Sequence, residues 1–206
     1  MFSLKVATHY RIVLADYEIA RIPDELKHPQ TPRERQYLKL LQGLLDTVKK
    51  DPMTGLQHKQ HFQAQDKESG VFIMIDGDGL KRINDQFGHG AGHAAILSIS
   101  DGIKAALRSG ESVTRAGGDE FLVHLEHTTL SAGVAIAKRI LDNIRRQKLS
   151  HHFEGDAALK PQLDALQLSA SLGVGYTEAE ADQALYQAKQ KGRNRVEFKA
   201  RAQKAA

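Results

Sequence analysis

Asp76 closes a short, β-rich apolar run, Val71–Ile75, while Asp119 and Glu120 fall at a hairpin tip beside Gly117 and Gly118. Central strands carry functional groups at their ends, where loops let ligands approach. Carboxylates converging there would hold Mg²⁺, a hard cation that takes oxygen ligands and shares itself with substrate phosphates. Gly77, Gly79, Gly117 and Gly118 lack a Cβ, so the backbone at those points can come close to a triphosphate. Asp and Gly are also ordinary turn formers. Residue type alone therefore leaves a turn and a metal site both open. The pairs His58/His61 and His151/His152 have spacings that could bind a metal, but without partnered carboxylates in a readable motif they read as surface residues.

Such groups need a scaffold, and from Asp51 onward the sequence carries one continuous α/β pattern. After Asp76-Gly-Asp-Gly79, Leu80–Phe87 reads as a short helix, and a second helix follows with Ile96, Ile99, Ile103 and Ala106 on one face. Ser112–Arg115 and Phe121–Leu125 read as brief strands around the glycine-rich hairpin. Leu130–Lys148 is a helix with Val134, Ala137, Leu141 and Ile144 inward. Leu168–Tyr176 is a strand, Glu180–Lys191 a helix and Arg195–Phe198 a last strand, with His151–Gln167 as a connecting insertion of no clear type.

Upstream, residues 1–31 read as a separate small element, with Pro23, Pro29 and Pro32 punctuating the chain. Thr31-Pro-Arg-Glu34 is an N-cap with proline at the first helical position. Tyr37, Leu38, Leu41, Leu44, Leu45 and Val48 then recur at helical spacing. The expected organisation is an N-terminal element over 1–50 with a lead-in helix at about 32–50, a domain over 51–198 and a flexible tail over 199–206. The lead-in helix either packs on its own domain or pairs two protomers.

Composition narrows the class. A chain of 206 residues suits one ordinary domain with a small appendage. With 41% hydrophobic and 26% charged residues it is a soluble globular chain. The absence of cysteine excludes a disulfide framework, a thiolate zinc site and a cysteine nucleophile. The apolar stretches are too short to span a bilayer, and Lys5 and Arg11 interrupt the N-terminal one, unlike a secretory signal. A cytoplasmic protein without a membrane partner is expected. The net charge of +4 is not gathered along one stripe, and with no Trp and 6% aromatics base-stacking platforms are poorly supplied. Nucleic acid is not an expected partner.

Taken together the motifs are more specific than any one of them. Arg115-Ala-Gly-Gly-Asp-Glu-Phe121 resembles the signature of the GGDEF diguanylate cyclases. Asp51-Pro-Met-Thr-Gly-Leu56 resembles the family's opening D-x-L-T-G-L, and Asp76-Gly-Asp-Gly-Leu-Lys-Arg-Ile-Asn-Asp85 its D-x-D-x-F-K-x-I-N-D. Gly88-His89, the strand Ser171-Leu-Gly-Val174 and the closing Ala181-Asp-Gln-Ala-Leu-Tyr-Gln-Ala-Lys-Gln-Lys-Gly-Arg-Asn194 follow in the family's order.

The resemblance implies an α/β (α+β) fold with a palm-like mixed central sheet flanked by helices, related to nucleotide cyclases and polymerases. It implies a nucleotidyltransferase that joins two GTP, one on each protomer of a homodimer, into cyclic di-GMP with release of two pyrophosphates. By the same resemblance Asp76, Asp119 and Glu120, with the Gly77 carbonyl, hold two Mg²⁺ ions, Mn²⁺ being the alternative. Lys81, Lys189 and Arg193 match the contacts to the terminal phosphates, Asn84 the residue that hydrogen-bonds guanine, and Gly118 lies in the substrate loop.

One departure bears directly on substrate choice. The family reads G-H-x-x-G-D, and this chain has His93 at the last position. A carboxylate accepts two guanine hydrogens at once, whereas a neutral imidazole accepts one. Three readings stand open: relaxed or altered base choice, weakened cyclase activity, or compensation by another residue; a non-catalytic GTP-sensing module is the alternative from another class. Arg108-Ser-Gly-Glu111 stands where the family's product-inhibition motif has R-x-x-D, which leaves open a weakened inhibitory site or a chance pair of charges at the end of an amphipathic helix. Residues 1–50 carry no nameable sensory motif and would set dimer geometry or dock a partner protein.

Overall fold

The structure, a computed structural model, describes residues 31–33, 35–36, 39–40, 43, 49–59, 62, 69–108 and 110–200. The small element expected over 1–31 and most of the expected tail therefore lie outside the described residues, apart from Thr31, Lys199 and Ala200. The chain divides into two units, 1–58 and 59–206.

In the first unit, described positions between Pro32 and Lys49 are helical, and Leu40 stands 58% exposed. A tight turn follows. Asp51 Oδ1 accepts from both the backbone N–H and the hydroxyl of Thr54, each at 2.8 Å. Gly55 takes the left-handed conformation at φ 66, and its N–H donates to the Asp51 carbonyl at 2.8 Å while Asp51 N–H donates to Leu56 O. The Asp51–Leu56 motif is thus a self-satisfied side-chain-to-backbone turn.

The second unit is built on β1 (Gly70–Gly77), β2 (Ser112–Gly117), β3 (Glu120–Glu126), β4 (Ala170–Gly175) and β5 (Val196–Phe198). They lie in the order β2-β3-β1-β4-β5. Pairing is antiparallel except for β4 with β5, so the sheet is mixed. The apolar run that ends at Asp76 is its central strand, as its composition predicts. The helices are α1 (Leu80–Phe87), α2 (His89–Lys104), α3 (Leu130–Arg146), the short α4 (Lys160–Asp164) and α5 (Glu178–Gln190).

Alternation along β1 sorts the faces. Val71, Ile73 and Ile75 are fully buried on the side of α2 and α3, where a Cβ on Gly77 would meet Ile99 at 2.7 Å and one on Gly133 would crowd Val71. Gly133 and Ile140, rather than Val134, join Ala137, Leu141 and Ile144 on the inward face of α3; the glycine is what lets that helix reach the sheet. On the opposite face α5 lies directly on β4. A Cβ on Gly173 would overlap the backbone of Ala181 and Leu185, and one on Gly175 that of Ala181 at 2.6 Å. This contact carries α5, and the groups at its C-terminal end, to the end of β1.

Helix α5 starts earlier than the Glu180 expected from periodicity, because the Thr177 hydroxyl caps it by accepting from Glu180 N–H at 3.1 Å. Thr177→Ala should lower stability by about 1 kcal/mol, read as a shift of the urea midpoint without a change of slope. The insertion His151–Gln167 enters from a 3-10 turn at Leu149–His151 and contains a second at Ala157–Leu159 and then α4. It is anchored by buried Leu149, Phe153 and Leu163 and by Ser150, which donates to both Asp164 oxygens at 3.1 and 2.9 Å. Those hydrogen bonds hold the Asp164 carboxyl below its ordinary pKa. His152 Nε2 pairs with Asp101 Oδ2 at 2.7 Å, tying the insertion to α2.

Candidate active site

Pairing register brings two of the expected carboxylates face to face. Asp76, at the end of β1, stands opposite Glu120, the first residue of β3, with Ser171 of β4 on its other side. Like charges set directly across a ladder repel, and here a lysine intervenes. Lys189, near the end of α5, donates to Asp76 Oδ2 at 2.7 Å, its side chain 33% exposed and that of Asp76 16%. Asp119 completes the group from the hairpin tip, its carbonyl accepting from Gly77 N–H at 3.1 Å. Burial raises the Asp119 carboxyl above its ordinary pKa, and the charge of Asp76 pushes it further.

The hairpin is held in shape from inside. Gly117 and Gly118 have φ of 150 and 52, and the ladder shifts register between Arg115 and Gly117. Arg115 donates from Nε and Nη2 to the Gly118 carbonyl at 2.9 and 2.7 Å, so its guanidinium clamps the tip that presents Asp119 and Glu120.

The other predicted residues lie on separate elements. Lys81 lies on the exposed face of α1, beside Arg82, Asp85 and Gln86. Lys189 and Glu120 line an open depression with Asp182 and Tyr186. The side chain of Asn84 rests against Gly92, where a Cβ would overlap its Oδ1; Gly92 immediately precedes the exposed His93. Arg193 follows α5 at φ 62. Arg108 and Glu111 lie apart from this group on the turn before β2, where Glu111 Oε2 accepts from Arg108 N–H at 2.6 Å.

Asp78, Asn194 and Arg145 escaped the sequence reading. Asp78 accepts from the hydroxyls of Ser171 and Ser169 and from Asn194 N–H at 2.8, 3.0 and 3.0 Å. The available signal was its place two residues after Asp76, together with two serines spaced to share one face of a strand.

Among the described residues no three carboxylates or imidazoles form a ready-made metal cage. A hard cation such as Mg²⁺ keeps several waters and is held by one or two carboxylates plus substrate phosphates, so the residues can be tested against it only by their chemistry. The donor set fits it: acceptor-only oxygens that repel one another, with the Lys189 ammonium already drawn to one of them.

Residues 48–195 match the profile of the family described as diguanylate cyclase, GGDEF domain. Diguanylate cyclase A of Treponema denticola is 30% identical over 178 residues, taking in 74% of this chain and 45% of that protein. Diguanylate cyclase DgcS of Shewanella oneidensis is 29% identical over 194 residues, 82% of this chain and 64% of that one. The chain thus spans less than two thirds of either relative. Among solved structures, that of diguanylate cyclase SiaD in complex with its activator SiaC from Pseudomonas aeruginosa superposes with a TM-score of 0.65 at 26% identity. It covers 95% of this chain and 76% of that one.

Proposed function

The chain belongs to the GGDEF diguanylate cyclase family, and from that membership we propose that it condenses two GTP into cyclic di-GMP, releasing two pyrophosphates. The observation that carries the reading is the gathering of Asp76, Asp119 and Glu120 at one end of the central sheet, with Lys189 closing on Asp76. Asp76, Asp119, Glu120 and the Gly77 carbonyl are the groups that would hold Mg²⁺ or Mn²⁺. What the bound ions supply is a lowered pKa at the ribose 3′-hydroxyl and neutralisation of charge on the α-phosphate and leaving pyrophosphate. Lys189 releases Asp76 and turns to the triphosphate, joined by Lys81 and Arg193 as cations against its terminal phosphates. Glycines 117 and 118 let the backbone approach those phosphates. Asn84 hydrogen-bonds the base, and His93 stands beside it.

Each protomer holds one nucleotide, so ring closure needs a homodimer, and residues 1–50 set its geometry or receive a partner protein. Among the described residues no helix is long and apolar enough to cross a membrane, and we place the domain in the cytoplasm with its substrate. A product-responsive site at Arg108 and Glu111 would have to draw Glu111 away from the Arg108 N–H it now accepts from.

His93 supports a second reading, a cyclic dinucleotide synthase with relaxed base choice. A guanine donor left unpaired costs about 1–3 kcal/mol, or ~5- to 150-fold in selection over adenine. Incubation with Mg²⁺ and labelled GTP, ATP or both, with products separated by chromatography, tests both readings. Cyclic di-GMP alone supports the first, and adenine-containing product the second. Nucleotide binding without pyrophosphate release would make the chain a sensor instead. In an active enzyme His93→Asp should raise the preference for GTP over ATP within that same range.

A further inference from the structure

The loop that ends α5 is held in an uncommon shape by residues from elsewhere in the second unit. Arg193 and Asn194 are both left-handed, at φ 62 and 49, a conformation that non-glycine residues keep only where their surroundings over-determine it. Those surroundings are specific. Asn194 N–H donates to Asp78 Oδ2 at 3.0 Å, and Asp78 is fixed in turn by the hydroxyls of Ser169 and Ser171. From α3, Arg145 Nε donates to Asn194 Oδ1 and its Nη2 to the Asn194 carbonyl, both at 2.9 Å. Its Nη1 is held by Asp142 at 3.0 Å. Asn194 is thereby gripped at its N–H, its C=O and its side chain together.

Arg193 is the next residue back along the chain. Its own N–H closes on the Ala188 carbonyl at 3.0 Å, so the backbone on both sides of its Cα is pinned. We propose that Arg145 and Asp78 are positioning residues for nucleotide binding. They lock the left-handed 193–194 pair so that the Arg193 guanidinium leaves the loop already directed at the terminal phosphates. The inference rests on the proposed phosphate contact of Arg193. It gives Asp78 a role other than holding metal, since its carboxylate is occupied by three protein donors. A long cation on a free loop would lose chain and side-chain entropy on meeting its anion, and an ordered loop has already lost it.

The test is calorimetric titration of the full chain, in Mg²⁺, with the β,γ-imido analogue of GTP and with GMP, which lacks the terminal phosphates. Arg145 lies on a helix surface with its side chain 32% exposed, so Arg145→Ala should fold. It should weaken the triphosphate analogue about five- to tenfold and leave GMP unchanged. Arg145→Lys keeps the charge but not the fork and should behave like the alanine variant. Combined with Arg193→Ala, Arg145→Ala should add nothing further, because both act through one guanidinium. Equal weakening of both nucleotides, or additive losses in the double variant, overturns the proposal. If Arg193→Ala alone binds the analogue as the parent does, the phosphate contact itself is wrong and the proposal falls with it.

Discussion

Asp119→Asn should reduce turnover about a thousandfold or more, which corresponds to roughly 4 kcal/mol of lost transition-state stabilisation, while leaving the fold at least as stable at pH 7. The second half follows from the direction of the pKa shift. Burial, and then the charge of Asp76, raise the Asp119 carboxyl above its ordinary 3.8, so the native state binds its proton more tightly than the unfolded chain does. The stabilisation linked to that proton is fully present below pH 3.8 and is lost as pH rises through the raised value. At neutral pH the carboxylate is therefore held at a cost, and an isosteric amide removes it. Melting temperatures in the absence of divalent metal should show the variant equal to or above the parent at pH 7, with any advantage gone below pH 3.8. Pyrophosphate release measures the other half. A variant that melts lower at pH 7 would make Asp119 a structural residue, and one that keeps full turnover would remove it from the catalytic group.

Gly173→Ala is expected to be the most damaging single-methyl change in the second unit. The added Cβ would overlap the Ala181 carbonyl and the Leu185 amide, which are helix backbone and cannot swing aside as a flexible side chain can. Helix α5 has to lift from β4, at a cost of about 3 kcal/mol. Because Lys189 reaches Asp76 from that helix, nucleotide turnover should fall together with stability. Gly118→Ala is the control. Gly118 is left-handed at φ 52 but has nothing within 4 Å of the added methyl, so only the backbone preference is lost, about 1 kcal/mol. Denaturant midpoints of the two variants compare them directly. Equal losses would mean that the helix–sheet contact is not what makes Gly173 necessary.

Much of this is legible in the sequence. Val71–Ile75 had to be a buried strand because it is short, apolar and β-rich, and Asp76 had to stand at its end. The glycines at 117 and 118 had to make a turn, and the carboxylates beside them had to be presented on it. Resemblance added the family and the mixed sheet, both of which the fold and the comparisons bear out. Local patterning did less well where packing sets the boundary. Gly133 faces inward on α3 because the sheet comes too close for a side chain, whereas apolar spacing alone puts Val134 there.

The sequence by itself determined which residues end strands, which turns need glycine and which family's order of motifs the chain follows, because each of these depends on a few consecutive residues and their backbone preferences. Only the tertiary structure decided that Lys189 reaches Asp76 across 113 residues of chain, that Asp78 serves Asn194 across 116 and that Arg145 grips the same asparagine across 49. Such pairings are fixed by strand order and by how closely α5 can lie on β4. Periodicity reports the face a residue occupies, but the partner on that face is chosen only when the layers pack.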